Sequence, residues 1–207
     1  PFSQTAMAAA CATAKARSMT ANSKAKIGGL LLAAGGSSRL GQPKQLLEFE
    51  GKTLVRRAAE TLVYSQCDPI VVVLGAEIEY SAIQIADLSV SSCINEKWQT
   101  GMSSSIISGL GSLLEIEPQL DAVVITLCDQ PHVNSADIDK LIRAFAVSRS
   151  PIVAARYGET TGVPALFSSK LFDVLFQLEG DKGARKLIQR HDHCVTIHIE
   201  GAIFDID

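Results

Sequence analysis

Ile27 to Ala33 reads Ile-Gly-Gly-Leu-Leu-Leu-Ala, a short run with no polar side chain that ends in small residues. Such a run has no face to offer water, so it suits a strand covered on both sides, as in the parallel sheet of an α/β protein. Ile70 to Leu74 and Ala122 to Leu127 carry apolar runs of the same kind, and Val90 to Ile94 carries a weaker one. Between them lie helical patterns at Thr53 to Ser65, Glu77 to Asp87 and Ser103 to Glu115. A further helix is expected at Ser135 to Ser148, where Ser135 can cap and Ile138, Leu141, Ile142 and Phe145 recur at helical spacing. Alternation of this kind predicts right-handed βαβ units.

From Pro151 the pattern loosens into a strand at Ile152 to Ala155, a turn-rich Gly-Glu-Thr-Thr-Gly-Val-Pro, and another apolar segment. Helices near Ser169 to Gln177 and Lys182 to Arg190 and a strand at Val195 to Ile199 follow. The expected architecture is a single-domain, Rossmann-like three-layer α/β fold with a mostly parallel sheet, spanning residues 27–207. Ligands of open parallel sheets sit beyond the carboxyl ends of the strands, so the loops after Ala33, Ile94 and Leu127 should face one crevice.

The first 26 residues are rich in Ala, Ser and Thr and hold four of the 19 Lys and Arg but no acidic residue. They read as a disordered tail, a targeting segment or an appended leader, with Met7 and Met19 as possible starts. The remaining 15 basic residues face 22 acidic ones, a net charge of about −7 that excludes a general nucleic-acid binder. Any phosphate must be held locally. No apolar run approaches the roughly 18 residues of a membrane span, and the five cysteines include no C-x-x-C pair. Reduced thiols in a soluble, cytoplasmic protein are expected.

The loop after the first strand is Ala33-Ala34-Gly35-Gly36-Ser37-Ser38-Arg39-Leu40-Gly41-Gln42-Pro43-Lys44. Small residues let the backbone approach a ligand, and consecutive amides form a concavity suited to phosphate oxygens. Gly36 and Gly41 have P-loop spacing, but Gln42 stands where a Walker lysine belongs, and G-x-G-x-x-G is absent. Arg39 and Lys44 are the two cations that can grip a triphosphate and offset charge on a pyrophosphate leaving group. A solvated turn is the plain alternative.

This loop resembles the L-A-A-G-x-S-x-R-x-G-x-x-K signature of nucleotidyltransferases that activate the molybdenum cofactor, specifically the cytidylyltransferase branch. Asn95 to Ile106, Cys128-Asp129-Gln130-Pro131, Gly162 to Phe167 and Gly180 to Arg185 are similar to later motifs of that family in the same order. The resemblance covers about Ile27 to Asp207. It implies transfer of CMP from CTP to the phosphate of a molybdopterin-type acceptor, with release of pyrophosphate and use of Mg²⁺. A molybdoenzyme receiving the product is an implied partner, and neither nucleic acid nor membrane is.

Asp129 stands just past the fourth strand, and a lone carboxylate there suits Mg²⁺, which takes one or two protein carboxylates and completes its shell with phosphate and water. An Asp capping the following turn is the alternative. With Arg39, Lys44 and Asp129 in catalysis, the resemblance assigns Ala33, Ala34, Gly35, Gly36, Ser37, Ser104 and Ser105 to the nucleotide. Ser103 or Ser104 capping a helix explains those serines equally well. Trp98, the sole tryptophan, either stacks on an acceptor or packs under the loop. Gly162, Pro164, Asp181 and Arg185 resemble the acceptor side, Asp181 as an N-cap and Arg185 facing a phosphate or a surface salt bridge. His191, His193 and Cys194 are read as a polar strand edge rather than a metal site. The closing Asp205-Ile206-Asp207 is similar to a family motif that continues further, and strand alternation puts Asp205 and Asp207 on one face. Asp205 is the expected second Mg²⁺ ligand, with a solvated chain end as the alternative.

An ionised acceptor phosphate needs no general base, in keeping with the lack of any Ser-His-Asp or Cys-His constellation. Three other readings remain open. They are the same chemistry with another base or a sugar-phosphate acceptor, a noncatalytic module delivering the cofactor, and a nicotinamide oxidoreductase.

Overall fold

Burial on both faces dictates how the apolar runs assemble. In a computed structural model, which describes residues 24–36, 43–181 and 183–206, they form β1 (Ile27–Ala33), β4 (Ile70–Leu74) and β6 (Ala122–Leu127), with no exposed residue in any of them. Two two-residue strands, β2 (Glu48–Phe49) and β3 (Lys52–Thr53), pair as a separate hairpin that the sequence pattern does not signal. The edge strand β5 (Ser91–Ile94) is exposed at three of its four positions, which explains its weak apolar signature.

The seven-stranded sheet has the order β5-β4-β1-β6-β8-β7-β9, with β7 at Ile152–Tyr157, β8 at Thr160–Ser168 and β9 at Cys194–His198. β5, β4, β1 and β6 run parallel, as expected. β8 runs antiparallel to both neighbours, and β9 is parallel to β7. The turn-rich Gly-Glu-Thr-Thr-Gly-Val-Pro is therefore mostly strand. Only Gly158 (φ 55°) and Glu159 make the turn, and β-branched Thr160, Thr161 and Val163 continue the ladder. Because β8 is reversed, its first residues lie beside the carboxyl end of β6.

Helices cover both faces. α1 (Leu54–Val63) and α4 (Ser135–Ser148) bury Val55, Ala59, Leu62, Ile138, Leu141 and Phe145 against Leu31, Val72 and Val124. α3 (Met102–Ile116) buries Ile106, Leu110 and Leu113 on the other face against Leu30, Val71 and Val123. Alternate residues of β1 thus supply two separate cores, the three-layer arrangement expected. α3 lies close because Gly109 faces the sheet, where a Cβ would come within 2.6 Å of Val73 Cγ2. α2 (Ile78–Ile85) follows β4. The cap of α4 is Asn134 rather than Ser135: its side chain accepts from Asp137 N (3.2 Å), and Asp137 Oδ2 accepts from Asn134 N (3.3 Å).

Lys26, grouped with the tail by charge, donates from its backbone N to Asp121 Oδ2 (2.9 Å) and from Nζ to Glu117 Oε2 (2.6 Å). Residues 1–23, Ser37, Arg39, Lys182 and Asp207 lie outside the described residues, and so does whatever role the sequence assigns them.

Candidate functional site

At the carboxyl ends of the parallel strands two cavities, of about 780 and 360 Å³, share a wall formed by Met102, Leu127, Asp129 and Asp181. The loops after β1, β5 and β6 line the smaller one, so the crevice expected from strand polarity is present. Ala33, Ala34, Gly35 and Gly36 all border it.

Lys44 opens a short 3₁₀ turn (Lys44–Leu46) after Pro43 and directs Nζ to Asp129 Oδ2, 3.0 Å away. Both side chains are about four-fifths buried, at 19% and 18% exposure, so the attraction is screened less than at an open surface. The next residue, Gln45, is 1% exposed and donates from Nε2 to Gly35 O (2.9 Å) and Ala76 O (3.3 Å). It ties the small-residue loop to the segment after β4 and so sets the depth at which Lys44 enters. Trp98 packs its ring under the loop, where a Cβ on Gly36 would meet it at 2.6 Å and one on Gly75 at 2.8 Å. The packing role of Trp98 holds, and its ring also borders the smaller cavity.

The serines at the start of α3 do not cap it. Gly101 (φ 115°) is the N-cap and no side chain caps the helix, because Ser104 Oγ turns back to donate to Gly101 O (2.8 Å). Asn95 Nδ2 donates to Ser104 Oγ (2.8 Å) and Ser105 Oγ (3.0 Å), holding both hydroxyls. Ser105 borders the smaller cavity, and Ser104 borders neither. Gly101 has no room for a side chain, since a Cβ would lie 2.6 Å from Gly180 C, which brings the loop before α3 against the one holding Asp181.

Asp129 carries the geometry of both cavities. Its Oδ1 is buried and has no hydrogen-bond partner among the described residues. A buried carboxylate oxygen without a donor suits a hard cation. Asp205 borders the larger cavity with Asp129, held there by a hydrogen bond from Ile206 N to Asp129 O (3.0 Å). Asp129 and Asp205 are thus two carboxylates on one cavity, the kind of oxygen donor a divalent ion takes. The expected strand alternation fails, however: after the 3₁₀ turn Glu200–Ile203, residues 204–206 form no strand. What fixes this segment is Gln130, a residue whose role the sequence does not reveal. Its buried Nε2 donates to Val163 O and to Ala202 O, both at 3.1 Å. Phe204 adds an edge-to-face ring contact, with its centroid 5.1 Å from that of His132, which in turn meets Phe49 of β2 edge-to-face at 5.2 Å.

The larger cavity has apolar Ile106, Ile125 and Val163, acidic Asp129, Asp181 and Asp205, and basic Arg185, Lys186 and Arg190. Gly162 borders it, whereas Pro164 is buried and borders neither cavity. Asp181 is not an N-cap. The helix Arg185–Arg190 begins four residues later with Ala184 as N-cap, and Asp181 sits exposed between the two cavities. Arg185 faces the larger cavity and forms no salt bridge among the described residues. His191 and His193 precede β9, with His193 N donating to His191 Nδ1 (3.2 Å). No group of three His, Cys, Asp or Glu gathers as a metal site among the described residues.

A parallel sheet, a small-residue loop bearing Lys44 and a strand-tip carboxylate between two cavities define a Rossmann-like nucleotidyltransferase architecture. The model of the MobA-like NTP transferase domain matches residues 29–195, and the chain belongs to that family. It is 30% identical to nicotine blue oxidoreductase of Paenarthrobacter nicotinovorans over 82% of this chain and 84% of that protein. It is 23% identical to a probable molybdenum cofactor guanylyltransferase of Bacillus cytotoxicus, over 87% of each chain. Rv0371c of Mycobacterium tuberculosis H37Rv superposes with a TM-score of 0.77 at 28% identity, over 89% of this chain and 94% of that one. Its complex with manganese gives a TM-score of 0.72 at 26% identity, over 84% and 89%.

Proposed function

We propose that this protein transfers CMP from CTP to the phosphate of a molybdopterin-type acceptor, releasing pyrophosphate. The observation that carries the reading is Asp129, which stands on the wall common to both cavities and is bonded to Lys44. The smaller cavity takes the nucleotide along Ala33 to Gly36, and the larger takes the acceptor. An acceptor phosphate oxygen forms a bond to the α-phosphorus as the bond to the bridging oxygen of the β-phosphate breaks. The acceptor oxygen is ionised at neutral pH, so no side chain has to remove a proton. Lys44 and the loop amides offset charge on the departing pyrophosphate, and Arg39 is assigned the same task from its motif.

Asp129 and Asp205 are the residues that would hold Mg²⁺. The ion, when bound, would polarise the phosphate oxygens and neutralise their charge. The orphaned Oδ1 of Asp129 supports this reading, and so does the manganese complex of the related mycobacterial protein.

Trp98 borders the smaller cavity, of about 360 Å³, beside Ala34 to Gly36 and so flanks the place assigned to the base. The choice of CTP follows the resemblance to the cytidylyltransferase branch; the Ala34 methyl adds little to it, since the residue is 3% exposed and packs in the core. The test is to supply each of the four nucleoside triphosphates with Mg²⁺ and molybdopterin, then measure pyrophosphate and weigh the product. CTP turnover well above GTP supports the proposal. Preference for GTP, the donor implied by the guanylyltransferase name of a relative, replaces the base and keeps the reaction. Molybdopterin binding without pyrophosphate would make the chain a delivery module. Dye reduction by a nicotinamide donor, also without pyrophosphate, would move it to the chemistry in its other relative's name.

A further inference from the structure

Tyr157 is the last residue of β7, and no motif singles it out. It is half-buried, packs against the core and borders the larger cavity. Its hydroxyl makes no hydrogen bond among the described residues, which leaves it available to a ligand in the cavity. Burial raises its pKa above the ordinary phenol value, with Arg185 opposing and Asp205 and Asp129 adding to the shift, so the group is a neutral donor at physiological pH. Arg185, Asp129 and Asp205 line the same cavity as Tyr157.

Gly162 supplies an independent observation. Its φ is not in the left-handed region, so backbone conformation does not require glycine there. Space does: a Cβ at Gly162 would stand 2.8 Å from Tyr157 Oη, with the ring carbon Cζ next at 3.7 Å. The hydroxyl, not the ring, occupies the room a side chain would need.

We infer that Tyr157 Oη is a binding donor for the acceptor's phosphomonoester, working opposite Arg185, and that Gly162 is glycine in order to leave that oxygen in place. The inference rests on the larger cavity being the acceptor site. Asp129, Asp181 and Asp205 in that cavity are matched by Arg185, Lys186 and Arg190, so a phosphate group meets both signs of charge there. A neutral hydroxyl attracts one phosphate oxygen without adding a charge that would compete with a metal for the carboxylates.

The test is anaerobic calorimetry with molybdopterin and, separately, with CTP. Tyr157→Phe is expected to weaken molybdopterin binding about tenfold, the effect of one hydrogen bond to a charged group, and to leave CTP affinity within about twofold. Gly162→Ala should weaken molybdopterin binding similarly and lower the melting temperature. Tyr157→Phe/Gly162→Ala should be no weaker than Tyr157→Phe alone and should melt above Gly162→Ala, because removing Oη removes the close contact. Equal molybdopterin affinity in wild type and Tyr157→Phe overturns the inference. So does a Gly162→Ala penalty that is unchanged when Tyr157 is Phe, and so does a wild-type protein that binds neither molybdopterin nor inorganic phosphate. If instead molybdopterin binds in a Tyr157-dependent way but no nucleotide yields pyrophosphate, the transferase reading falls and Tyr157 keeps its role.

Discussion

Replacing Gln130 with Met keeps the side chain's length and burial and deletes its amide. Two hydrogen bonds of 3.1 Å, to Val163 O and Ala202 O, disappear, each contributing roughly 0.5–1.5 kcal/mol. Against this, Gln130 Oε1 is buried without a partner among the described residues, and its removal returns about 1 kcal/mol. The net destabilisation is about 1 kcal/mol, which in a domain of this size lowers the melting temperature by about 2–4 °C. The local effect is larger than the global one, because the lost bonds are those that hold Glu200–Ile203 and hence Asp205. The Mg²⁺ concentration for half-maximal pyrophosphate release is expected to rise about five- to tenfold, equivalent to about 1–1.4 kcal/mol, with kcat at saturating metal close to wild type. Amide exchange at Ile206, whose N–H bonds Asp129 O, should quicken by a similar factor. Wild-type metal dependence together with unchanged exchange over residues 200–206 would refute the claim that Gln130 positions the second carboxylate.

Lys44→Ala and Asp129→Ala should each lower kcat/KM for pyrophosphate release at least ~100-fold, comparable to losing one preorganised charge-stabilising donor, while circular dichroism stays native; a soluble variant with near-normal turnover removes that residue from the mechanism. Asp205→Asn should raise the Mg²⁺ requirement. If Asp207→Asn does so instead, the ligand is the terminal residue, and if neither does, Asp129 holds the ion without a second carboxylate. Burial pushes the Cys67 and Cys128 thiols up to about 12, above an unfolded value near 8.5. With the folded pKa raised, their contribution to stability is complete below about pH 8.5 and is lost as pH climbs towards 12, at about 1.4 kcal/mol per thiol per pH unit. Urea unfolding at pH 8 and 9.5 should therefore show a steep loss that Cys67→Ala and Cys128→Ala each make shallower; equal slopes in all three proteins would contradict the burial argument.

The central strands were legible to the residue: Ile27–Ala33, Ile70–Leu74 and Ala122–Leu127 are bounded as their apolar runs are, because double-sided burial leaves no choice of residue. β8 was obscured because Gly162 and Pro164 carry turn signals, although one makes room for a hydroxyl and the other is buried in a strand beside a register shift. The charged pair was readable in part, since Lys44 and Asp129 each close a recognisable segment. Gln45 and Gln130 were not, because they act on backbone carbonyls 10 to 72 residues away, and a carbonyl has no letter in a sequence. Tyr157 escaped for a related reason: what gives it meaning is the empty space at Gly162.

The reversal of β8 has an evolutionary consequence. On the β1 side of the sheet, each loop at the crevice is the exit of a parallel strand and continues into a crossover, so its length is constrained by the next strand's position. On the other side, the hairpin of β7 and β8 reaches the crevice by a turn of two residues. A hairpin tip can lengthen, shorten or change composition without moving any strand of the parallel half. The fold therefore separates a smaller cavity whose loops are tied to crossovers from a larger one bordered by a hairpin that can be rebuilt piecemeal, an arrangement that lets one side of the site change while the other is held.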